Sequence, residues 1–395
     1  MNRVIFEGRF LVNVAGSIIR QDNLYPLRSG QDWERMFRTA DYHKIANLIY
    51  LGLLGNTKMV SMHWRHRFFE RYQEALHFGE ICMNAEKELL ALFDMKGIPC
   101  VVLSSCGIRN LYKIPETAGN SPLRLFLGPE RYSLAKGYLI DLGYETDRLY
   151  PDCGERMSKV SGFSVEIYQK FPFETKAYKK NMQYLMEHSY LKESYRCIKV
   201  MSAEDRFIYR MAEAVYRYVT DELLIREVMD LYLYHKAWNS QLNKEYIHYR
   251  LSALQIEDLA EKLLYIGYMW FGTKEDSGIP ALHEDMGIYD VLENRILSRG
   301  ELSKETNPQA LELTRLIQRE RAREKRRTRV EHVKKQIDKR WKGFMRIFGW
   351  IFPEYKYMCA IYPWLERLPV FLPVGWMMRG TRMLAGMLTH RNSKF

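Results

Sequence analysis

The sequence predicts an α+β protein, a small mixed sheet set between predominantly helical regions, and three features of the text predict it. Apolar residues recur at helical spacing from Tyr42 to Met95. Three short apolar runs, "IPCVVLSS", "LRLFL" and "FSVEIY", then take on strand character. After Pro172 the helical spacing returns. With 395 residues the chain can bury a full core and hold two domains. Its 47% hydrophobic and 27% charged residues exclude disorder of the chain as a whole.

Residues 1–94 form the N-terminal helical region. Its last segment, "FGEICMNAEKELLALFDMKG", places Phe78, Ile81, Cys82, Ala85, Leu89 and Leu92 on a helical repeat, and Gly97 is placed to end it. Residues 95–172 read as an α/β unit on a small sheet, with "YSLAKGYLIDLGY" a helix between the second and third strands. Residues 173–306 form a helical domain. There Ser202 followed by Asp205 resembles a capping box, and Phe207, Ile208, Met211, Val215 and Tyr218 follow at helical spacing. "LLIREVMDLYLYHKAW" and "IEDLAEKLLYIGYMWFG" add two amphipathic helices, whereas the stretch from Gly272 to Asn307 is rich in turn residues.

Asn307 and Pro308 are an N-cap and a first-turn proline, which open a basic helix over 307–342. Its middle, "QRERAREKRRTR", has almost no apolar face, and Val330, Val333, Ile337 and Trp341 restore one. The tail, 343–395, is aromatic and apolar, and Pro353, Pro363, Pro369 and Pro373 preclude one long helix.

Charge is unevenly spread. Between Arg315 and Arg346 fourteen Lys or Arg face four acidic residues, a local net of +10, which leaves +2 of the total +12 for everything else. The basicity therefore belongs to one segment. Six cysteines show no Cys-x-x-Cys spacing, so neither a zinc site nor a redox motif is supported. Arg3, Glu7 and Arg9 interrupt the apolar core that a secretion signal needs, and no run reaches the roughly 18 apolar residues of a membrane span. A reducing, cytoplasmic location is the expectation.

The stretch "VVLSSCGIRNLYKIPETAGNSPLRLFLGPE", residues 101–130, with the later helix ending "DLGY" and the strand "VEIY", resembles the uncharacterised bacterial nucleotidyltransferases of the nucleotidyltransferase superfamily. The likeness extends to "DYHKIANLIY" near residue 41, "LLIREVMDLYLY" near 223 and the tail "YPWLERLPVFLPVGWMMR". It implies a small mixed nucleotidyltransferase-like sheet. In that family a leucine is followed by Lys-Gly, a later strand carries Asp-x-Asp, and a further strand reads acidic residue, aliphatic, His. Side chains at i and i+2 share one face of a strand, so paired carboxylates there can hold Mg²⁺ against nucleotide phosphates.

Aligned without a gap from Leu103 through Tyr112 to Leu127, the pattern puts Ser104 and Ser105 at Lys-Gly, and Pro122 and Arg124 at the two Asp positions. Glu166 keeps the acidic position and Tyr168 takes that of the His. In the helical domain Arg226 and Asp230 match the family's Arg and Asp, while its His and Lys-His fall on Glu213, Tyr216 and Arg217. Three carboxylates would give the site about −3, whereas Glu166 with Arg124 gives about zero, a large swing where a dication must sit. No catalytic or metal-ligating residue is therefore assigned, and Mg²⁺ is expected only if the protein is active.

Ordinary roles weigh against several candidates. Glu166 and Arg124 are expected to form an internal ion pair. Ser104 and Ser105, with Gly107 behind them, suit an ordinary strand-to-helix turn better than an anion site. Arg226 and Asp230 stand four apart on one helix face, where they can pair. His63 with His66, and His235 with His248, come without a third ligand. The leading expectation is a nucleotidyltransferase-fold protein with a degraded centre that binds a nucleotide-like ligand or a protein partner. An active enzyme with carboxylates from Glu116, Glu130 or Asp152 is the second. An adapter whose residues 315–350 meet an anionic membrane surface, with nucleic acid less favoured, is the third.

Overall fold

The computed structural model describes residues 3–27, 30–55, 59–276, 279, 287–302, 304–326, 352 and 354–391. They divide into two compact units, Met1–Gln318 and Arg319–Phe395. In the first unit four helices come first: α1 (Arg3–Arg20), α2 (Trp33–Tyr42), α3 (Ala46–Leu54) and the long α4 (Met62–Met95). Gly97, at φ +63°, ends α4 in a left-handed turn in which the Ile98 N–H reaches back to the Phe93 carbonyl.

The sheet is built from β1 (Cys100–Ser104), β2 (Leu123–Phe126), β3 (Glu145–Tyr150), β4 (Gly154–Ser158), β5 (Ser164–Tyr168), β6 (Tyr190–Leu191) and β7 (Ile198–Val200), with α5 (Pro129–Asp141) after β2 and α6 (Lys176–Glu187) after β5. Its strand order is β3-β4-β5-β2-β1-β7-β6. The β2–β5 and β1–β7 pairs are parallel and the rest antiparallel, so the sheet is mixed, as the sequence predicts. Four strands escape the sequence reading. The β3 sequence, "ETDRLY", is exposed along nearly its whole length, so it carries no apolar pattern to read. The two short strands β6 and β7 extend the sheet past residue 172, into a region expected to be helical.

Strand alternation explains where the sheet sits. Leu123 and Leu125 of β2, and Val165 and Ile167 of β5, point to one face and join Phe78, Cys82, Leu89 and Phe93 of α4 in one core cluster. Each such aliphatic side chain contributes roughly 1.5–3 kcal/mol by its burial. The alternate residues of β2 and β5, including Arg124, Glu166 and Tyr168, point to the opposite face. That face is covered by the second, larger cluster, made mostly of helical residues.

The remaining helices of this unit are α7 (Ala203–Val219), α8 (Ile225–Trp238), α9 (Lys244–Ala253), α10 (Glu257–Phe271) and α11 (Gly287–Ser298). Ser202 caps α7 by accepting the Asp205 N–H at 3.0 Å. The turn-rich stretch before Asn307 holds α11, whose Tyr289, Leu292 and Ile296 are buried at helical spacing. Asn307 Oδ1 accepts the N–H groups of Gln309 and Ala310 and opens a helix, α12, over 308–326. The rest of the predicted basic helix, to 342, lies outside the described residues, as do Trp341, Phe344, Phe348 and Trp350. In the second unit, α13 (Tyr355–Ile361) and α14 (Leu372–Arg391) flank two short 3₁₀ turns.

Candidate functional site

Register brings the predicted positions into one row. Ser104 of β1 lies opposite Arg124 of β2, and Arg124 lies opposite Glu166 of β5. A bulge between Val102 and Ser104 makes the first pairing possible, because an extra residue in one strand shifts everything after it. Pro122 stands just outside β2, immediately before Leu123 rather than as the first residue of the strand. It donates nothing to the sheet, and its ring cannot ligate a metal.

Glu166 is buried, and both its oxygens are engaged. Oε2 accepts Arg124 Nε at 2.9 Å and the Tyr168 hydroxyl at 2.8 Å, and Oε1 accepts the Tyr150 hydroxyl at 2.8 Å. Burial alone would raise the carboxyl pKa, but the Arg124 guanidinium and the two tyrosine hydroxyls together hold it below the usual carboxylate range. Burial and the neighbouring carboxylate push Tyr150 up to about 12, so it remains a donor. Tyr168 thus serves to satisfy Glu166.

The other end of Arg124 reaches α7, where Nη1 lies 2.7 Å from Glu213 Oε1. The guanidinium is held between two carboxylates 42 and 89 residues along the chain from it, one on the sheet and one on the helical side. Arg217, in the last turn of α7, pairs with Glu227 of α8, whose pKa burial raises to about 7 against the pull of Arg217. Arg210 and Arg226 act on Asp230, whose pKa burial raises. Four arginines, 124, 210, 217 and 226, thus face four carboxylates, Glu166, Glu213, Glu227 and Asp230. With all eight groups ionised, this set of charges sums to zero.

Arg226 and Asp230 do not pair with each other directly as expected; the Tyr112 hydroxyl stands between them, donating to Asp230 and accepting Arg226 Nη1 at 3.2 Å. The other Arg226 N–H groups go to the Thr117 carbonyl, twice to the Lys44 carbonyl at 2.9 and 2.7 Å, and to Asn47 Oδ1 at 2.9 Å. All five donors of the guanidinium are used. Arg226 is here a strut tying α8 to the α2–α3 turn and to the short 3₁₀ helix Pro115–Ala118.

The strand-to-helix turn after β1 is equally satisfied from within. Ser105 caps a 3₁₀ helix, Cys106–Leu111, by accepting the Gly107 N–H at 3.0 Å, and the Cys106 N–H donates to the buried Glu86 carboxylate at 2.7 Å. A phosphate at this turn would meet a carboxylate already in place. A cavity of about 290 Å³ lies elsewhere in this unit, lined by Ile18, Tyr112, Lys113, Ile114, Leu233 and Lys236 among others.

A dication bridging phosphates needs two or three converging carboxylates with free oxygens. The donor set at Arg124 does not fit one: a guanidinium fills the space between the carboxylates, and Glu166 has no idle oxygen. Among the described residues, the one grouping of three potential metal ligands is His248, Glu257 and Glu261, on α9 and α10, and it includes none of Glu116, Glu130, Asp152 or Glu166. His235 is separate from it, its Nδ1 2.8 Å from the Tyr268 hydroxyl, while His63 packs edge-on against Trp64 and His66 lies 3.5 Å from Glu70.

The sequence offers no sign that Glu86 meets the Cys106 N–H, and although Glu213 falls on a family position and on a helix, nothing in its spacing points to Arg124 as its partner. Residues 29–272, more than half of the chain, match the model of a family described as uncharacterised nucleotidyltransferase. No curated protein and no solved structure matches the chain.

Proposed function

The chain belongs to the uncharacterised nucleotidyltransferase family, and we propose that this member keeps the family's fold while working by binding, as a pseudoenzyme, rather than by nucleotidyl transfer. The observation that carries the reading is the Arg124 guanidinium seated between Glu166 and Glu213. At the second Asp position of the family pattern it supplies from the protein the positive charge that Mg²⁺ would otherwise bring. Two further features support it. Tyr168 replaces a polar ring with a donor that saturates Glu166, and Arg226 spends every N–H on the fold.

Binding by this fold would use a ligand or partner that does not need the metal. A nucleotide-like ligand gains little at the β1 turn, where Glu86 and Ser105 already hold the N–H groups. The cavity beside Tyr112, at the small end of the usual range for ligand pockets, is the better place for a small molecule, and a protein partner fits the reading equally.

Incubation with labelled ATP, GTP, CTP and UTP and either Mg²⁺ or Mn²⁺ is expected to show no transfer to the protein or to added acceptors. Robust turnover abolished by Glu166→Gln would overturn the reading. Thermal-shift screening with the same nucleotides is expected to be insensitive to the metal. Stabilisation that requires Mg²⁺ would count instead for an active site with rearranged carboxylates.

A further inference from the structure

Exposed apolar side chains gather on the second compact unit. Its small core consists of Met358, Cys359, Tyr362 and Leu365, with Leu372 and Trp376 packed against it. Those contacts use one face of α14, where Gly375 lets the Leu365 and Met358 side chains approach to 3.0 and 3.1 Å of the position a Cβ would take. Another face, continued back into the 3₁₀ turn Pro369–Phe371, carries Val370, Phe371, Val374, Met377 and Met378. These are exposed by 86, 48, 39, 67 and 45% respectively. Their spacing, i, i+1, i+4, i+7 and i+8, is that of a single helical stripe. A contiguous apolar stripe left in water marks a surface that meets something else.

Charge identifies the kind of partner. Residues 319–395 hold nineteen Lys or Arg and six acidic residues, a net of +13, so that residues 1–318 sum to −1 of the total +12. All of the excess positive charge therefore belongs to the unit that carries the stripe. Arg367 precedes the stripe and Arg382 follows it by one helical turn, both exposed. Nucleic acid is held by cations together with stacked aromatic rings, and four of the five stripe residues are Val or Met, which offer a base neither a charge nor a ring. Aliphatic side chains flanked by Arg367 and Arg382, in a unit of net positive charge, suit the headgroup–acyl boundary of an acidic bilayer. No helix of the described residues is long and apolar enough to cross a membrane, so the element would lie on the surface.

We propose that Val370, Phe371, Val374, Met377 and Met378 form a membrane-surface element that inserts into an anionic phospholipid bilayer, with Arg367 and Arg382 at its two ends held against the lipid headgroups. The full chain is tested by flotation with phosphatidylcholine vesicles made with and without phosphatidylglycerol. It is expected to float only with the anionic vesicles, and less as salt is raised. Val370→Asp and Met377→Asp should each lower the partition about tenfold or more, since each removes one buried apolar side chain. Val370→Leu with Met377→Leu should restore it, and because these side chains face outward none of the variants should change the melting temperature by more than a degree or two.

Failure to float, or flotation indifferent to the Asp substitutions, overturns the proposal. So does filter binding of RNA or DNA that the same substitutions abolish. Dispersal by Val370→Asp of a dimer seen in solution, or compact hydrodynamics lost in that variant without any lipid binding, would reassign the stripe to a second copy or to residues 1–318.

Discussion

Arg124 is the residue on which the site turns. Its removal leaves two carboxylates, one of them 5% exposed, without their cation. Breaking such a pair from one side costs about 3–5 kcal/mol, because the remaining charge stays buried. Arg124→Met is therefore expected to destabilise the protein by about that amount in urea unfolding, and adding Glu166→Gln should recover part of the loss. A loss in the double variant equal to the sum of the losses in Arg124→Met alone and Glu166→Gln alone would show that the pair is not coupled. Titration adds a second test. His43, whose Nδ1 accepts the Ile225 N–H, is pushed down to about 4 by burial and by nearby Arg299, and His235 to about 4 by burial and Lys244. Both are neutral in the fold, so the unfolded chain takes up their protons first as pH falls from about 6.5 toward 4, and stability drops through that window. Glu227 works the other way. Its raised pKa makes the folded state bind the extra proton between about 4.5 and 7, so its contribution to stability falls as pH rises through that range. Glu227→Gln should steepen the loss on acidification between 6.5 and 4.5, as followed by urea midpoints against pH.

At the scale of elements, short-range signals placed helices well and strands unevenly. The Ser202 cap is local, so Ser202→Ala is expected to cost about 1 kcal/mol and no more, in the same unfolding assay. Gly154 of β4 poses a stricter case. A Cβ there would collide with the Ile167 carbonyl of β5, a backbone atom that cannot swing aside. Gly154→Ala should push β4 away from β5 and cost about 1–3 kcal/mol, and a substitution without loss of stability would mean that this edge of the sheet is loosely paired. The central strands β1, β2 and β5 were legible because they are buried or half-buried on both faces and their residues are mostly apolar. The hairpin β3–β4 was not, because β3 is an exposed edge held by backbone pairing to its neighbour. The three residues of β7 were too few for a period to show, and their place beside β1 follows from pairing across nearly a hundred residues of chain.

At the scale of the molecule, the two compact units differ in how they are built. The large clusters of buried residues lie within the first 318 residues, while the described residues of 319–395 hold a core of four buried side chains. Arg321, Arg323, Lys325 and Arg326 are exposed on the helix at the start of the second unit. Limited digestion with trypsin should therefore cut first near residues 319–326 and leave a resistant fragment ending there, read by intact-mass measurement. Early cleavage within α7 or α8 would contradict the tight packing of that region.

What the sequence by itself determined was the α+β class, the central strands, and the caps at Ser202 and Asn307, because each depends on residue type at a fixed local spacing. It also anticipated the Arg124–Glu166 pair, since neighbouring strands of one sheet constrain which residues can face each other. What only the tertiary structure decided was the rest of the charge network: Glu213 closing on Arg124 from α7, Tyr112 standing between Arg226 and Asp230, and Glu86 taking the Cys106 N–H. Those partners come from elements separated by 20 to 118 residues. No periodicity spans such a gap, and the packing of the helices on the sheet brings them within hydrogen-bonding distance.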